Sequence, residues 1–264
     1  MQNPKNKTTK QTTSWEPVQQ WYRGAVGDEG LYYHQKIVIP GVLRLLAFSK
    51  DTKNSILDLA CGTGILARNI PKSTDYSGFD ISPSLIKEAK RIDTAPHHNY
   101  FVADATQSLS LPKKDFTHAA IVLALQNMKD PKAAIQNAAH HLGPKGTLVI
   151  AMNHPCFRIP RQSSWKIDEE QKTQFRRIDR YSSPLSIPIQ ANPSKGEQSA
   201  QTWSFHFPLA DYSRWLFEAG FVIELIEEWH SDKVSTGKAA KMENRSRTEF
   251  PLFIAIRATK REVK

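Results

Sequence analysis

The chain has 264 residues, of which 39% are hydrophobic and 23% charged, with a formal net charge of +10; this globular balance excludes collagenous, coiled-coil and wholly disordered chains. No run of about 18 uncharged apolar residues occurs, so no membrane span is expected, and a cysteine complement of only Cys61 and Cys156 points to a reducing, cytoplasmic setting rather than a disulfide framework. The positive charge gathers in segments 1–14, 158–180 and 231–264, which carry +3, +3 and +5; a basic rim around a site for an acidic substrate and a solubilising surface both fit, whereas a nucleic-acid reader more often carries a stripe across its folded body.

Residues 1–14 are almost all Lys, Thr, Gln and Asn and are expected to form a disordered tail, with no apolar stretch of a secretory signal behind the lysines. From Trp15 to about residue 50, aromatic and aliphatic positions interleave with polar ones. They predict two helical segments, broken near Gly27–Gly30 and at Pro40–Gly41. Over 55–152, β-rich runs at Ser55–Leu59, Tyr76–Asp80, Asn99–Ala103, Thr117–Leu123 and Thr147–Met152 alternate with helical patterns. Those patterns are Gly64–Ile70, Ser84–Ile92 and Pro131–Leu142, the last with Gly143 as its C-cap. This rhythm predicts right-handed crossovers and a largely parallel sheet covered on both faces. Residues 154–208 have several prolines and little periodicity, and read as a long loop, functional or mobile. A helix at Leu209–Ala219, capped by Gly220, and strands at Phe221–Ile226 and Leu252–Ala258 complete one domain over 15–264.

The most informative stretch is Asp58-Leu59-Ala60-Cys61-Gly62-Thr63-Gly64, directly after the first strand. Its glycines allow a sharp turn and close approach of a ligand, and free amides at the following helix start offer hydrogen bonds. Gly62, Gly64 and Ala67 keep a dinucleotide-type spacing, with Asp80 eighteen residues after Gly62 and placed to accept from ribose hydroxyls. So far a nicotinamide and a sulfonium cofactor are served equally. Asp58 within the turn separates them, since it repels a pyrophosphate and attracts an ammonium. Asp104, at the end of the third strand, is placed to accept from an adenine amino group.

Together Asp58–Gly64, Phe79-Asp80, Ala103-Asp104-Ala105 and Leu142-Gly143-Pro144-Lys145-Gly146-Thr147 resemble the motif series of class I S-adenosylmethionine-dependent methyltransferases. The resemblance covers roughly residues 55–152. It implies an α/β, Rossmann-like, seven-stranded and mostly parallel sheet with an antiparallel last strand, an N-terminal helical lid over 15–50 and a substrate-side insertion after strand 5. It also implies that Asp58 and Gly62 face the methionine end, Asp80 the ribose and Asp104 the adenine, with Leu123 lining the cleft. Ala60, Gly64, Ile81, Ala105 and the lid residue Tyr32 join the expected cofactor-binding set. Lys145 departs from the glycine usual at its position, a change that bears on a turn rather than on the chemistry.

Substrate-side residues are sought after the fifth strand and in the lid. His154 is a candidate base, or merely a turn residue before Pro155; His206 is a second candidate base, and Trp203 a candidate for the opposite wall. Tyr33, His34 and Arg158 are candidate substrate contacts. Cys156 shows no activating partner, and no His/Cys spacing resembles a metal site. Basic residues flanking the insertion suit either a carboxylate or phosphate on a metabolite or an RNA backbone. The expectation is methyl transfer to O, N or C of a small molecule, anionic ones included. The rivals are a tRNA methyltransferase, a nicotinamide-dependent oxidoreductase and a non-catalytic nucleotide-binding protein.

Overall fold

The computed structural model describes residue 16 and residues 30–109, 111, 115–190 and 201–262. The expected tail over 1–14, the lid segment before residue 30 apart from Glu16, and residues 191–200 of the insertion lie outside the described residues. Chain order runs α1 (Ile39–Leu46), β1 (Ser55–Leu59), β2 (Asp75–Asp80), α2 (Pro83–Ile92), β3 (His98–Val102), β4 (Phe116–Val122), α3 (Pro131–His141) and β5 (Leu142–Asn153). Two hairpins follow, β6 (Ser163–Asp168) with β7 (Thr173–Ile178) and β8 (Leu185–Gln190) with β9 (Gln201–His206). Then come α4 (Leu209–Glu218), β10 (Phe221–Trp229), α5 (Ala240–Glu249) and β11 (Phe253–Lys260).

Seven strands form one sheet in the order β10-β11-β5-β4-β1-β2-β3. β1 to β5 pair in parallel, while β11 runs antiparallel between β5 and β10. All five residues of β1 are buried, as expected of a parallel strand covered on both faces. Strand alternation sends Leu57, Leu59, Ile121 and Ile150 to one core, with Ile135 of α3 and Leu216 of α4. It sends Ile56, Tyr76, Val149 and Ala151 to the other, with Val42 and Leu45 of α1 and Ile86 of α2. Helix starts are marked as the sequence suggests. Ser82 caps α2 by accepting from Leu85 N, Asp130 caps α3 by accepting from Ala133 N, and a proline opens each helix.

Several expectations are corrected. Pro40–Gly41 does not break the lid helix: a π-turn over His34–Val38 leads straight into α1, and Pro40 occupies its first turn, where an N–H is dispensable. Gly41 is there for close approach, because a Cβ would lie 2.4 Å from the Trp229 indole. No α-helix spans Gly64–Ile70. Turns end in a single 3-10 turn at Ala67–Asn69, since Pro71 disfavours the helical conformation in Ile70. Gly143 is no helix cap, as Leu142 goes directly into β5 and the left-handed residue of that turn is Lys145. The 154–208 segment is no open loop: it carries two hairpins, in which β6 exposes four of its six side chains while β9 buries four of six, so no single period marks the segment. The helix α5, between the last two strands, has no apolar face and was not anticipated; Ser246 alone is buried on it.

Replacing Gly41 by Ala is expected to lower stability by about 1–3 kcal/mol through overpacking against Trp229, read as a lower melting midpoint in thermal denaturation.

Candidate functional site

The C-terminal ends of the parallel strands open onto one cavity of about 380 Å³, where open α/β sheets place their ligands. Its walls bring together Asp58, Ala60, Gly62, Asp80, Ile81, Asp104, Ala105, Leu123 and His34. Gly64, Tyr32, Tyr33, His154, Arg158, Trp203 and His206 are not among its walls.

The turn after β1 is shaped by backbone rather than by a helix. Ala60 (φ 61°), Gly62 (φ 56°) and Gly64 (φ 74°) are all left-handed, a conformation that is uncommon outside glycine. Gly64 serves packing, because a Cβ there would lie 2.6 Å from the Tyr100 hydroxyl. Asp58 is held from within, accepting from the Tyr76 hydroxyl at 2.8 Å. Gly78, opposite Asp58 across the strand pair, leaves room for that hydroxyl, since a Cβ would meet it at 2.6 Å.

Asp80 ends β2. Its two oxygens accept separately, from Ser82 N and from Gly62 N, both at 2.9 Å. Asp104 turns the chain after β3 by accepting from both Thr106 N and Thr106 Oγ1 with one oxygen, at 2.8 Å each. Leu123 is also left-handed, at φ 52°, and its carbonyl accepts from Gln126 Nε2 at 2.7 Å. Gln126 Oε1 is buried in the wall with no partner among the described residues, an acceptor open to a ligand donor.

The wall carries three carboxylates and, among the described residues, no lysine or arginine. Its histidine does not compensate. Burial pushes the His34 pKa down to about 4, and Leu31 N donates to its Nδ1 at 3.1 Å, so the ring is neutral with its proton on Nε2. Burial raises Asp58 to about 7, against the Tyr76 hydrogen bond and with help from nearby Asp80. Burial also raises Asp80, against its two backbone donors. Such a cleft favours a cation and disfavours a pyrophosphate. This donor set fits a ligand with a positively charged end, ribose hydroxyls and a purine. No group of His, Cys, Asp and Glu among the described residues forms a metal cluster.

The remaining expected residues have other occupations. The Tyr32 hydroxyl donates to Asp232 at 2.9 Å, and the Tyr33 hydroxyl pairs with Ser231 at 2.9 Å. Both nitrogens of His154 are engaged: Nδ1 accepts from Cys156 N at 3.2 Å, and Nε2 faces Glu228 at 2.7 Å. This leaves no free nitrogen for a base, and the ring fixes the turn after β5. His206 spends Nε2 on the Tyr181 carbonyl at 2.6 Å. Cys156 is pushed up by burial, which suppresses its thiolate. Sequence reasoning missed Gln126 and Ile189 as walls, whereas Asn153 and Ser204 fall in the segments expected beside the cleft, 153–157 after the fifth strand and 203–207 opposite it. It also missed Glu16, which accepts from the hydroxyls of Ser82 and Ser84 at the start of α2. Position shortly after a strand end was an available signal for Gln126; for Ile189 there was none.

A family described as a methyltransferase domain matches residues 32–226. A demethylmenaquinone methyltransferase of Paenarthrobacter aurescens is 30% identical over 122 residues, which is 45% of this chain and 47% of that protein. The chain spans about half the length of the curated relatives it matches. Among solved structures, an S-adenosylmethionine-dependent methyltransferase from Mesorhizobium loti superposes with TM-score 0.65 at 24% identity, covering 84% of this chain and 96% of that one. A counterpart from Listeria monocytogenes gives 0.63 at 22% identity, over 87% and 98%. At these identities the structures establish the shared fold.

The raised pKa of Asp58 has a measurable sign. Below about pH 4 the carboxyl is protonated whether the chain is folded or not. Between there and about 7 only the unfolded chain ionises it, so stability falls as pH rises. Asp58→Asn, which can still accept from Tyr76, is expected to stabilise the ligand-free protein at pH 8 by roughly 2–4 kcal/mol. The gain should vanish toward pH 4 in denaturant titrations; an equal gain at both pH values contradicts the assignment.

Proposed function

The chain belongs to the methyltransferase domain family, and we propose that it takes S-adenosylmethionine as its cofactor and methylates a small-molecule acceptor reaching the cavity from the side of β5. The observation that carries this reading is the concentration of Asp58, Asp80 and Asp104 on one cavity without a cationic side chain. The cofactor supplies a methyl group already activated on a sulfonium. In this reading the chain binds, orients and excludes water, and needs a base only where the acceptor must lose a proton.

Asp58 and the backbone at Gly62 would face the ammonium end, and Asp80 the ribose hydroxyls. Both Asp80 oxygens are already aimed by backbone donors, yet keep lone pairs to offer. Asp104 keeps one oxygen clear of Thr106 and would take the adenine amino group. Ala60, Ile81, Ala105 and Leu123 supply apolar wall around these groups. The His34 Nε2–H is a donor at neutral pH, suited to an acceptor oxygen or a carboxylate. The cavity of about 380 Å³ lies near the lower end of the range for ligand pockets, roughly 300–1,000 Å³. Cofactor and acceptor together fill more than this volume, which favours a compact acceptor. The kinship with a demethylmenaquinone methyltransferase supports a small-molecule acceptor. His154 is proposed as a positioning residue of the substrate-side turn rather than as a base.

Isothermal titration should show S-adenosylmethionine binding and negligible binding of NAD; tighter NAD binding overturns the reading. Asp80→Ala is expected to weaken cofactor binding by roughly 1.5–3 kcal/mol, or about 10–100-fold. An unchanged dissociation constant in a variant with a normal melting curve removes Asp80 from the ribose site.

A further inference from the structure

Five arginines of the described residues are tied to carboxylates: Arg44 to Glu227, Arg91 to Glu88, Arg177 to Asp179, Arg247 to Glu243 and Arg257 to Glu224. Arg158 and Arg176 have no carboxylate partner among the described residues, although they are close enough for their charges to act on one another. Arg176 is fixed in place. Its Nε donates to the Phe157 carbonyl and its Nη2 to Ser163 Oγ, both at 2.8 Å, and its guanidinium lies 5.1 Å from the Trp165 ring centroid. Arg158 is exposed, yet desolvation acts on its guanidinium and its charge senses Tyr33. A third cation, Lys233, sits over the same tyrosine, 5.2 Å from the ring centroid.

Two carboxylates of this region have partners of their own: Asp232 accepts from Tyr32 and Glu228 pairs with His154. Desolvation lowers the pKa of both Arg158 and Arg176. Two like charges held together under desolvation, with no protein anion between them, are unfavourable until an anion joins them.

The place matters as much as the charge. Tyr33 adjoins His34, a cavity wall, and Arg158 lies between the wall residues Asn153 and Pro160. The sheet order β5-β4-β1-β2-β3 puts Asn153 on the side of Asp58 away from Asp80, at the opposite end from the proposed ribose site. We propose that Arg158, with Arg176 held against the Phe157 carbonyl beside it and Lys233 over Tyr33, forms the site for an anionic group, a carboxylate or phosphate, carried by the methyl acceptor. This assignment rests on the methyl-transfer reading of the cleft.

The test uses the full chain saturated with S-adenosylhomocysteine and titrated with 4-hydroxybenzoate and phenyl phosphate, each against its neutral counterpart, 4-hydroxybenzamide and phenol. Wild type should bind at least one anion about tenfold more tightly than its counterpart. Which anion gains more separates carboxylate from phosphate recognition. Arg158→Gln should shrink that advantage to less than about twofold while leaving S-adenosylhomocysteine affinity and the melting midpoint in place. Equal binding of anions and neutral probes by wild type overturns the proposal, as does an advantage that survives Arg158→Gln. So does a parallel loss of S-adenosylhomocysteine affinity, which would give the arginine to the cofactor. Should Arg158→Gln fail to fold, Arg158→Lys carries the test: charge without the planar fork should reduce the advantage severalfold, and an undiminished one overturns the proposal. If wild type fails to bind S-adenosylhomocysteine yet prefers anions through Arg158, the methyl-transfer reading fails and the anion site stands.

Discussion

Carboxylates are costly to bury without a cation, and this fold gathers three of them around one cavity whose described walls hold no lysine or arginine. The cost is only partly offset. Tyr76 donates to Asp58, and backbone N–H groups of Gly62 and Ser82 donate to Asp80, yet both groups keep raised pKa values because burial outweighs those bonds. The ligand-free cleft is thus a destabilised arrangement that a cationic ligand relieves. The same feature separates this glycine-bearing turn from a dinucleotide site: spacing alone serves both ligands, but the electrostatics of the walls do not.

Much of the surrounding structure exists to hold those carboxylates still. Tyr76 reaches Asp58 only because residue 78 lacks a Cβ, and the turn after β1 closes only because residues 60, 62 and 64 accept left-handed backbone. Ala60 and Leu123 do so without being glycine, and both lie in the cavity wall. Strained backbone at a ligand wall is maintained when packing on either side over-determines it. Here the packing is supplied by the two cores flanking β1 and β4.

What the sequence made legible follows from which forces are local. The βαβ rhythm, the strand tips and the three acids were readable because strand hydrophobicity, prolines at helix starts and turn glycines act over a few residues. Where tertiary packing prevailed, local reading failed. Pro40–Gly41 looked like a break, but Trp229, far along the chain, occupies the space that Gly41 leaves. Gly64 has a packing role that no local reading reveals, because the Tyr100 hydroxyl fills the space a Cβ would need. The hairpins of the insertion show no single period because β6 exposes most of its side chains whereas β9 buries most of its own. His154 was conspicuous beside the fifth strand, but only the structure reveals that Cys156 N and Glu228 occupy both its nitrogens.

That occupied histidine ties the anionic half of the cleft to the cationic rim beside it. By holding the turn after β5, with Arg158 N also donating to its carbonyl at 2.8 Å, His154 sets where the chain leaves the sheet and hence where Arg158 and Pro160 stand. Its partner Glu228 lies on β10, two strands from β5 through β11, so the turn is anchored across the antiparallel half of the sheet. Along the sheet the electrostatics therefore change sign: carboxylates at the tips of β1 and β2, uncompensated guanidiniums beyond β5. A cationic ligand and an anionic one bound at these two places would be drawn to their respective sites and to each other, bringing them together before any chemistry begins.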